Sequence, residues 1–443
     1  MLVAAAVAAC LLVFLLMLNR TRAQLGQTFT LDLLVSKITV IMGREGSKQF
    51  FEVPDQVLDF NKAIAVVAQN VLGTKGFADS EWLAKSPGYV AQGFMRHDKL
   101  NNYSLVIQEE VTKHMQQWFK EEKVDIFEVM SHLVTCINIR CILGEKAYKD
   151  HADEISRIYF QLENNAVNTF SMMFPNLPSP TKIKNEKARE RLVEIITNLL
   201  TSDEGKEAKD YVAMIYQSEG DNHAIINYVV HGLGLMFGAH TNTAGTLGWV
   251  TAEWANDKAL RDKARKEQEQ LAAELGEEAE QMSSKFISQL NYMDACMKES
   301  VRKYSTLLLV RLAMQDVCFT TADGQEFLLP QGRTVAFSPF LTHYNEEIYP
   351  DPSRYDPERF TDLERKLFLT SNRHFVQFGA GVHKCPGERF ANLVIKSTLS
   401  LVLRSSQFEL VGAELQPPDY QKQAGTPSPV APIWVRFRPT TTV

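Results

Sequence analysis

The sequence predicts a mainly helical protein with small β-sheets, and three observations lead to this fold class. Apolar residues recur three and four positions apart in several segments, which is the spacing of the buried face of a helix. The segment Ile225–Asn256 is mainly apolar and predicts one long helix. Strand patterns are short and lie near residues 28–42, 317–335 and 433–437. Helices therefore account for most of the expected structure.

Composition and charge limit what this chain can be. It has 443 residues, of which 45% are hydrophobic and 23% charged, so it can bury a large core in one or two domains. The net charge of −6 argues against a general nucleic-acid-binding protein. No C-x-x-C pair is present, which argues against a zinc knuckle or a disulfide framework and favours reduced thiols in the cytosol. The six cysteines are Cys10, Cys136, Cys141, Cys296, Cys318 and Cys385.

Residues 1–18 form an unbroken apolar run that is followed by Arg20 and Arg22. A helix of this length rises about 27 Å, close to the roughly 30 Å of the hydrocarbon core of a membrane. Because basic residues next to a span stay in the cytosol, we expect residues 1–18 to be a transmembrane anchor and residues 19–443 a body that faces the cytosol. A cleaved signal peptide is the alternative, but the sequence lacks a basic start and an A-x-A cleavage site.

The next elements follow in chain order from the same patterns. Two short strands are expected in residues 28–42 and a short helix in residues 45–52, whereas residues 70–103 carry glycines and predict irregular backbone. Four helical segments follow, with a proline-rich loop at residues 174–180 before the last of them. Residues 257–284 are dense in charged side chains and predict a solvated helix face. The four helical segments span residues 105–120, 126–143, 153–168 and 182–200.

A glycine-rich loop around one cysteine is the most informative stretch of the chain. Residues 378–391 read FGAGVHKCPGERFA, and an apolar run with helical spacing follows at residues 390–402. Gly379 and Gly381 allow a tight turn and a close approach to a flat ligand, because glycine has no Cβ. Backbone N–H groups at the start of the following helix favour the thiolate form of Cys385. The arrangement suits a thiolate that binds a metal.

Other features of this loop leave alternatives open. His383 and Lys384 add positive charge that could meet carboxylates of a cofactor. The loop could instead be a turn beside a buried structural cysteine. It could also bind phosphate, because the G-A-G that starts at Gly379 also begins a dinucleotide fingerprint. The phosphate interpretation is the weaker one, since the third glycine is displaced and Cys385 lies in the middle of the loop.

The long helix at residues 225–256 contains several glycines, although a glycine in a helix costs about 1 kcal/mol relative to alanine. A flat ligand that needs space beside the backbone would offset that cost. The centre of the helix reads G-A-H-T-N-T and includes His240 and Thr241. The simpler alternative for this pair is a packed histidine and a threonine whose hydroxyl bonds back to the preceding turn. The glycines are Gly232, Gly234, Gly238 and Gly245.

Glu299 and Arg302 form an E-x-x-R motif, and residues three apart lie on one face of a helix. On its own such a pair is usually a surface ion pair of small value. A P-E-R-F stretch at residues 357–360 supplies Arg359 further along the chain. An arginine can bind a carboxylate through two nitrogens at once, which a lysine cannot do.

Phe378, Gly381, Cys385 and Gly387 fit the spacing F-x-x-G-x-x-x-C-x-G. This loop resembles the haem-binding loop of the cytochrome P-450 superfamily, the haem-thiolate monooxygenases. The resemblance covers nearly the whole chain after the apolar run, since the threonine helix, the E-x-x-R pair, the P-E-R-F stretch and the cysteine loop occur in the expected order. It implies the cytochrome P-450 fold, with haem b (iron protoporphyrin IX) between the long helix and the cysteine loop.

The resemblance also implies a role for each residue of the haem site. Cys385 would be the axial ligand of the haem iron. Thr241 would help to deliver protons on the opposite side of the haem, and His240 would replace the acid that most members carry there. The other loop positions would bind the cofactor; they are Phe378, Gly379, Gly381, His383 and Gly387.

Further residues would support the cofactor, again by resemblance. Glu299, Arg302 and Arg359 would form a buried network that sets the frame of the cysteine loop. Arg311, which follows a short apolar strand expected at residues 307–310, would bind a haem propionate together with His383.

The resemblance to the sterol 14-alpha-demethylase branch implies a substrate class and partners. It is carried by the G-x-H-T pattern at His240, by the Arg311 region and by Thr426 and Pro427 in the tail. The chain would oxidise a hydrophobic substrate, a sterol, with O2 and with electrons from NADPH through a membrane-bound cytochrome reductase. It would lie in the membrane of the endoplasmic reticulum, with the catalytic domain at residues 19–443 facing the cytosol.

The chain departs from the family pattern in its first half. The proline-rich hinge and first helix that usually follow the anchor are missing, and Ser86 stands where the W-x-x-x-R motif would place its arginine after Trp82. The tyrosine-bearing substrate loop of the branch is not recognisable between Val71 and Tyr103. Hydroxylation of another lipid, a haem-thiolate isomerase and a shortened haem-binding protein without turnover are therefore the alternatives. Candidates to replace the missing arginine are Lys85, Tyr89 and Arg96.

Overall fold

A computed structural model gives the fold of residues 28–32, 37–73, 80–166, 177–306, 308–320, 324, 326–420 and 425–440. The expected membrane anchor at residues 1–18 lies outside these described residues. Helices make up most of the described chain, and the strands form small sheets, which confirms the predicted fold class.

The helices enclose a core that one long helix crosses. In the described residues they are α1 (Gly43–Glu52), α2 (Phe60–Leu72), α3 (Ser80–Tyr89), α4 (His97–Trp118), α5 (Ile126–Asn138), α6 (Glu145–Asn164), α7 (Pro180–Thr201), α8 (Asp203–Glu207), α9 (Tyr211–Glu219), α10 (Ile225–Asn256), α11 (Lys258–Leu275), α12 (Glu277–Glu280), α13 (Ser284–Gln289), α14 (Asn291–Lys303), α15 (Pro339–His343), α16 (Leu363–Ser371) and α17 (Glu388–Ser405). Shorter helical turns are Val90–Phe94, Ile139–Leu143, Gly220–Asn222, Pro357–Phe360 and Gly381–His383.

Within the described residues, the strands form one five-stranded sheet, one three-stranded sheet and one hairpin. They are β1 (Thr28–Asp32), β2 (Lys37–Ile41), β3 (Leu58–Asp59), β4 (Val124–Asp125), β5 (Leu309–Ala313), β6 (Val317–Thr320), β7 (Glu326–Leu329), β8 (Thr334–Phe337), β9 (Ser406–Leu410) and β10 (Trp434–Pro439). The five-stranded sheet has the order β1-β2-β8-β5-β3, in which only β2 and β8 are parallel. The three-stranded sheet has the order β4-β10-β9, and β6 pairs with β7.

Side-chain caps fix where several helices begin. Asp125 accepts a hydrogen bond from the backbone N–H of Phe127 at 3.1 Å, which satisfies a donor at the start of α5. Ser179 does the same for Lys182 at 3.2 Å, and Pro180 occupies the first position of α7, where its missing N–H costs nothing. The loop predicted at residues 174–180 thus ends at this cap, and its first three residues lie outside the described chain.

The central helix α10 has the bounds that the sequence predicts, and most of its side chains from Asn227 to Trp254 are buried. It packs along α5 on one side and against α17, the helix that follows the cysteine loop. Packing explains most of its glycines. A Cβ at Gly245 would lie 2.8 Å from a methyl carbon of Thr426, and one at Gly232 would lie 3.1 Å from Leu143. Only Gly238, among the four glycines that suggested a flat ligand, has open space beside it.

Residues 70–73 and 80–103, the described parts of the segment predicted to be irregular, are largely helical, so that prediction was wrong for them. They form the end of α2, then α3, a π-helical turn and the start of α4. Trp82 is buried and packs against Tyr228 and His231 of the central helix, with ring centroids 4.9 and 5.6 Å apart. This packing outweighs the low helix propensity of Pro87 and Gly88.

One described segment, Ile126–Leu143, is long and apolar enough to cross a membrane by composition alone. Of this segment, 72% is buried inside the fold against α10 and its neighbours. Such burial is typical of a core helix.

Candidate haem site

A backbone hydrogen bond closes the cysteine loop, residues 378–391. The N–H of Cys385 donates to the carbonyl oxygen of Phe378 at 2.8 Å. Gly381 has a φ of 63°, and a Cβ there would lie 1.8 Å from the carbonyl oxygen of Phe51 in α1. Gly379 also has a positive φ, of 68°. The predicted tight turn is therefore present, and the close approach that requires glycine at 381 is to the backbone of α1.

The thiol of Cys385 lies directly before α17 and is exposed. The surrounding loop still desolvates it, which raises the pKa of the Cys385 thiol, whereas a backbone hydrogen bond from Gly387 lowers that pKa. A Cβ at Gly387 would lie 3.6 Å from the sulfur. The N–H group expected to favour the thiolate thus comes from the residue before the helix.

The structure brings together the two residues predicted to bind propionates. Arg311 lies within β5, not after it, and its guanidinium carbon is 4.8 Å from the ring centroid of Phe60. The His383 ring centroid is 5.3 Å from that of Phe60, and its Nε2 lies 2.5 Å from a carboxylate oxygen of Asp55. In the described part of the chain, the side chain of Arg311 has one hydrogen bond, to the carbonyl oxygen of Val310 at 2.9 Å.

Other charged candidates have partners away from this pair. Lys384 forms an ion pair with Glu388 at 2.6 Å. Tyr89 donates a hydrogen bond to Glu219 at 2.6 Å, and the ammonium of Lys85 lies 3.9 Å from the same carboxylate. The remaining candidate for the missing arginine position, at residue 96, pairs with its neighbour at residue 98.

The E-x-x-R pair is completely buried. Arg302 donates two hydrogen bonds of 2.7 Å to the two carboxylate oxygens of Glu299. Arg359 lies 3.4 Å from Glu299 and donates to the carbonyl oxygen of Asp351 at 2.8 Å. Burial raises the pKa of the Glu299 carboxyl, and the hydrogen bonds from Arg302 oppose that shift. The three residues that the sequence groups together therefore form one network.

The arginines of this network also bind backbone carbonyl groups from two connecting segments. Arg302 donates to the carbonyl oxygens of His343 and Arg354, at 3.1 and 3.2 Å. The N–H of Asp356 donates to Glu299 at 2.8 Å. The network thus holds α14 to the polar connection after α15 and to the turn at residues 357–360.

The middle of α10 carries a second polar cluster, built around Glu163 of α6. The oxygen Oε1 of Glu163 lies 2.7 Å from Nδ1 of His240 and accepts a hydrogen bond of 2.6 Å from the hydroxyl of Thr241. The hydroxyl of Tyr159 donates to the same oxygen at 2.9 Å. On the other side of the ring, Nε2 of His240 lies 3.1 Å from the hydroxyl oxygen of Ser131 and 3.0 Å from its carbonyl oxygen.

Glu163 is the functional candidate that sequence reasoning missed. Burial alone would raise the pKa of its carboxyl, but hydrogen bonds from His240, Thr241 and Tyr159 lower it below the usual value. The carboxylate is therefore charged at neutral pH. No local pattern identifies it, because 77 residues separate it from its histidine partner.

A cavity of about 340 Å³ adjoins this cluster. Its lining includes Glu163, His240 and Thr241 together with Asp125 and Glu128 at the start of α5. Residues 428–432 of the tail form another side of it. The lining carries three carboxylates, which suits water and protons better than an apolar ligand.

Thr426 in the tail, one of the residues that carry the resemblance to the sterol demethylase branch, lies against the centre of α10. The side chain of Asn242 accepts hydrogen bonds from the backbone N–H and the hydroxyl of Thr426, at 2.9 and 3.1 Å. A Cβ at Gly425 would lie 3.3 Å from a methyl carbon of Thr241. The tail therefore contacts the residue next to the threonine of the polar cluster.

The residues present fit an iron porphyrin. Cys385 presents an exposed sulfur on a loop that also carries exposed Val382. Gly238 and Asn242 are exposed in the middle of an otherwise buried helix, and a Cβ at Gly238 would meet no atom within 4 Å. Arg311 is buried with a single hydrogen bond, so its guanidinium has further donors for a carboxylate. A cysteine thiolate is one of the axial ligands that hold haem iron, and cationic donors suit the propionate groups of the porphyrin.

Comparison with known proteins agrees with this arrangement. The family model named cytochrome P-450 matches residues 14–433. Sterol 14-demethylase of Arabidopsis thaliana is 29% identical over 407 residues, which cover 90% of this chain and 82% of that protein. Cytochrome P-450 monooxygenase pynD of Aspergillus niger is 26% identical over 432 residues, or 95% and 86% of the two chains.

A solved structure supports the fold. A cyanobacterial cytochrome P-450 bound to retinoic acid superimposes with a TM-score of 0.79 at 20% sequence identity, and the match covers 95% of this chain and 94% of that one. Because the family model spans nearly all of the sequence, this chain belongs to the cytochrome P-450 family and is a haem-dependent monooxygenase.

Proposed function

We propose that this cytochrome P-450 oxidises a sterol, in the manner of a 14-alpha-demethylase. The observation that carries the proposal is the His240–Thr241 pair at the centre of α10, bound to the partly buried carboxylate of Glu163 where most members carry an acid next to the threonine. Relatives named sterol 14-demethylases in a plant and in mycobacteria support it, at 29%, 24% and 23% identity. Another hydrophobic lipid is the second candidate, because the fungal relatives carry only the general name of monooxygenase.

The cofactor would be held from several elements of the fold. Bound haem supplies the activation of O2 that a monooxygenase needs. The sulfur of Cys385 would ligate the iron, and the N–H of Gly387 would stabilise its negative charge. Arg311 and His383 would bind the propionates, since both lie against Phe60. The network of Glu299 would keep the segment before the loop in place.

The polar cluster of α10 would move protons. With His240 neutral, Nδ1–H donates to Glu163 and Nε2 accepts from the hydroxyl of Ser131. With His240 protonated, Nε2–H donates to the carbonyl oxygen of the same serine, which is 3.0 Å away. Both protonation states are therefore fully hydrogen-bonded, so the ring can take up and release a proton without a large structural change. The Thr241 hydroxyl would carry the proton onward.

Protons would reach this cluster through the polar cavity. Glu128 lines the cavity and is exposed, whereas Glu163 lines it beside His240 and is partly buried. Water in a cavity with several polar groups is readily ordered by hydrogen bonds. The path would therefore run from solvent through the water of this cavity to Glu163 and from there to His240 and Thr241.

A spectral titration tests the sterol proposal. The purified full-length protein with haem is titrated with a panel of 14-methyl sterols and fatty acids, and the shift of the haem absorption band is followed. We expect saturable shifts with the sterols, and loss of the 14-methyl group when a reductase, NADPH and O2 are added. Shifts and oxidation with fatty acids alone would contradict the sterol assignment and support another lipid as the substrate.

The electron donor and the membrane location are part of the same proposal. We propose an NADPH-cytochrome reductase in the endoplasmic reticulum membrane as the partner, with residues 19–443 on the cytosolic side. The support is the apolar run at residues 1–18 followed by Arg20 and Arg22. Protease protection of residues 1–18 in sealed microsomes, with digestion of the rest, is the expected result.

Replacement of Cys385 by alanine tests the ligand assignment. We expect the Cys385→Ala variant to lose the thiolate-type absorption of the reduced carbon monoxide complex and all monooxygenase activity, because no other described cysteine lies in this loop. Cys318→Ala is the matched control, since Cys318 is also exposed and lies in the β6–β7 hairpin. A thiolate-type spectrum that persisted in the first variant would show that another group ligates the iron.

A further inference from the structure

Two histidines and a cysteine form a compact cluster between α4 and α5, on elements other than the cysteine loop. His114 comes from α4, and His132 and Cys136 lie one turn apart on α5. The Nε2 atom of His114 is 3.1 Å from Nδ1 of His132, and that Nδ1 is 3.9 Å from the sulfur of Cys136. All three atoms lie within 4.8 Å of one another.

A backbone hydrogen bond sets the tautomer of His114. Its Nδ1 lies 2.8 Å from the carbonyl oxygen of Glu110, which can only accept, so Nδ1 must carry the hydrogen. The lone pair of Nε2 then points at His132 and Cys136. Histidines that bind metals almost always donate their other ring N–H to a carbonyl or carboxylate group in this way. His114 is also buried, so its orientation is fixed.

The spacing of two of the three atom pairs matches a tetrahedral zinc ion. Zinc–nitrogen bonds of about 2.0–2.1 Å and a zinc–sulfur bond of about 2.3 Å place two nitrogens about 3.3 Å apart and a nitrogen and a sulfur about 3.6 Å apart. The observed separations of 3.1 and 3.9 Å differ from these values by a few tenths of an ångström. The third separation, between Nε2 of His114 and the sulfur of Cys136, is at most 4.8 Å against about 3.6 Å for a nitrogen and a sulfur on one zinc ion, so zinc binding would draw the Cys136 sulfur towards His114.

We propose that His114, His132 and Cys136 bind one zinc ion through Nε2, Nδ1 and Sγ, with a water molecule in the fourth position. Imidazole and thiolate ligands favour zinc and similar transition metals over magnesium or calcium, which prefer oxygen. A buried thiol must lose its proton on binding, so only a metal with high affinity for thiolate can occupy the site. The exposed side of His132 leaves the fourth position open to solvent.

The zinc ion would connect the two sides of the haem site. It would join α4, which packs against α17 behind the cysteine loop, to α5, which packs along α10. Ser131, the neighbour of His132, contacts Nε2 of His240. A cross-link between the two helices would therefore restrain the residue that keeps both protonation states of His240 hydrogen-bonded. The site itself does not depend on which substrate the enzyme oxidises.

Zinc binding is measured on the full-length protein with haem. After equilibrium dialysis against zinc chloride, bound zinc and haem iron are determined together by mass spectrometry. We expect one zinc per haem. X-ray absorption at the zinc edge should show one sulfur and two nitrogen ligands, and the haem iron does not interfere because the edge is specific to the element.

Two variants separate this site from adventitious binding. His132→Gln should weaken zinc binding more than about 100-fold, because even the loss of an outer hydrogen-bond partner of a ligand costs 10–100-fold. Cys136→Ala should remove the sulfur signal. His97→Gln and Cys318→Ala are the matched controls, since His97 is exposed at the start of α4 and Cys318 is exposed in the hairpin. An unchanged haem spectrum verifies that each variant is folded.

The outcomes decide the proposal in either direction. Wild-type protein that retains no zinc, zinc bound through nitrogen and oxygen only, or equal affinity in wild type and His132→Gln would each overturn it. One equivalent of zinc with a sulfur ligand, lost in both site variants and kept in both controls, establishes the site.

Discussion

Glu163 accepts three hydrogen bonds on a single carboxylate oxygen, from His240, Thr241 and Tyr159. Three donors on one atom hold the side chain in one position and keep it ionised, as the lowered pKa of its carboxyl indicates. The hydroxyl and the imidazole that the sequence singles out are thereby connected through the same atom. At the scale of residues, this oxygen is the centre of the proposed proton path.

Replacement of Glu163 by glutamine tests that path. An amide of the same shape keeps a hydrogen-bond acceptor but can neither hold a proton nor stabilise a protonated imidazole. We expect the Glu163→Gln variant to retain haem and substrate binding while the rate of product formation falls about 100-fold, the lower end of what a lost acid–base group costs. Product and NADPH consumption are measured together with a reductase, so that uncoupled turnover is also seen.

The matched control is Glu128→Gln, because Glu128 lines the same cavity but is exposed and has no contact with His240 or Thr241 among the described hydrogen bonds. Water can replace an exposed carboxylate, so this variant should keep most of its activity. Equal product rates in wild type and Glu163→Gln would exclude the carboxylate from the proton path.

Single residues also show which parts of the site can be predicted from the sequence and which cannot. Cys385 and Thr241 could be proposed as site residues because their neighbours along the chain form a recognisable pattern. Glu163 and Asp55 could not, since the fold brings them to histidines that are 77 and 328 residues away. The role of the glycines was partly misjudged for the same reason, because Gly381 accommodates the backbone of Phe51, which no local pattern places there.

At the scale of elements, the Glu299 network joins α14 to two connections that have little regular structure of their own. The arginine side chains replace the backbone hydrogen bonds that these segments lack, by binding the carbonyl groups of His343, Arg354 and Asp351. Local E-x-x-R spacing places Glu299 and Arg302 on one helix face, whereas their burial and the link to Arg359 were implied only by the resemblance to the family. The sequence could not predict the carbonyl partners, which depend on the path of the connections.

Arg302→Lys tests whether the planar guanidinium group, which binds through several nitrogens at once, is needed for the stability of the fold. A lysine keeps the charge but cannot make two hydrogen bonds to Glu299 and two to backbone carbonyls from a planar group. Because the pair is completely buried, we expect the variant to lose about 3 kcal/mol of unfolding free energy, together with part of its haem. Urea unfolding followed by circular dichroism, and haem content by absorbance, give the two quantities.

Arg191→Lys is the control for this substitution. Arg191 also binds a carboxylate through two nitrogens, at 2.8 and 3.1 Å to Glu154, but the pair lies on the surface. Exposed pairs contribute little, so this variant should change the unfolding free energy by less than about 1 kcal/mol. Similar losses in both variants would mean that burial of the Glu299 network does not set its contribution.

At the scale of the whole molecule, the central helix α10 and the segment packed against it show which parts of the fold the sequence could predict and which it could not. The bounds of α10 and the mainly helical class follow from apolar spacing, which a buried helix must show. The helical structure of residues 80–103 does not follow, because it depends on Trp82 packing against Tyr228 and His231 across the core. The glycines and the proline of this segment predict irregular backbone, but packing against the core stabilises the helices in spite of them.

His231 in that packed region makes the stability of the whole molecule depend on pH. It is buried, with Ser86 and Tyr211 each 2.8 Å from one ring nitrogen. Burial lowers the pKa of His231 to about 4 from a usual 6.5. Between pH 4 and pH 6.5, this histidine binds more protons in the unfolded chain than in the folded one. Its contribution to the free energy of unfolding is therefore fully present above pH 6.5 and is lost as the pH falls from 6.5 towards 4.

We therefore expect wild-type protein to lose about 2 kcal/mol of unfolding free energy from this histidine between pH 7 and pH 5. In His231→Gln the amide can still bond to Ser86 and Tyr211 but does not titrate, so the decrease over this range should be smaller by that amount. Urea unfolding of both proteins at a series of pH values gives the difference, and exposed His97→Gln is the control that should follow the wild type. Parallel curves for wild type and His231→Gln would mean that the buried ring is protonated in the folded state at pH 5, which its two uncharged partners do not favour.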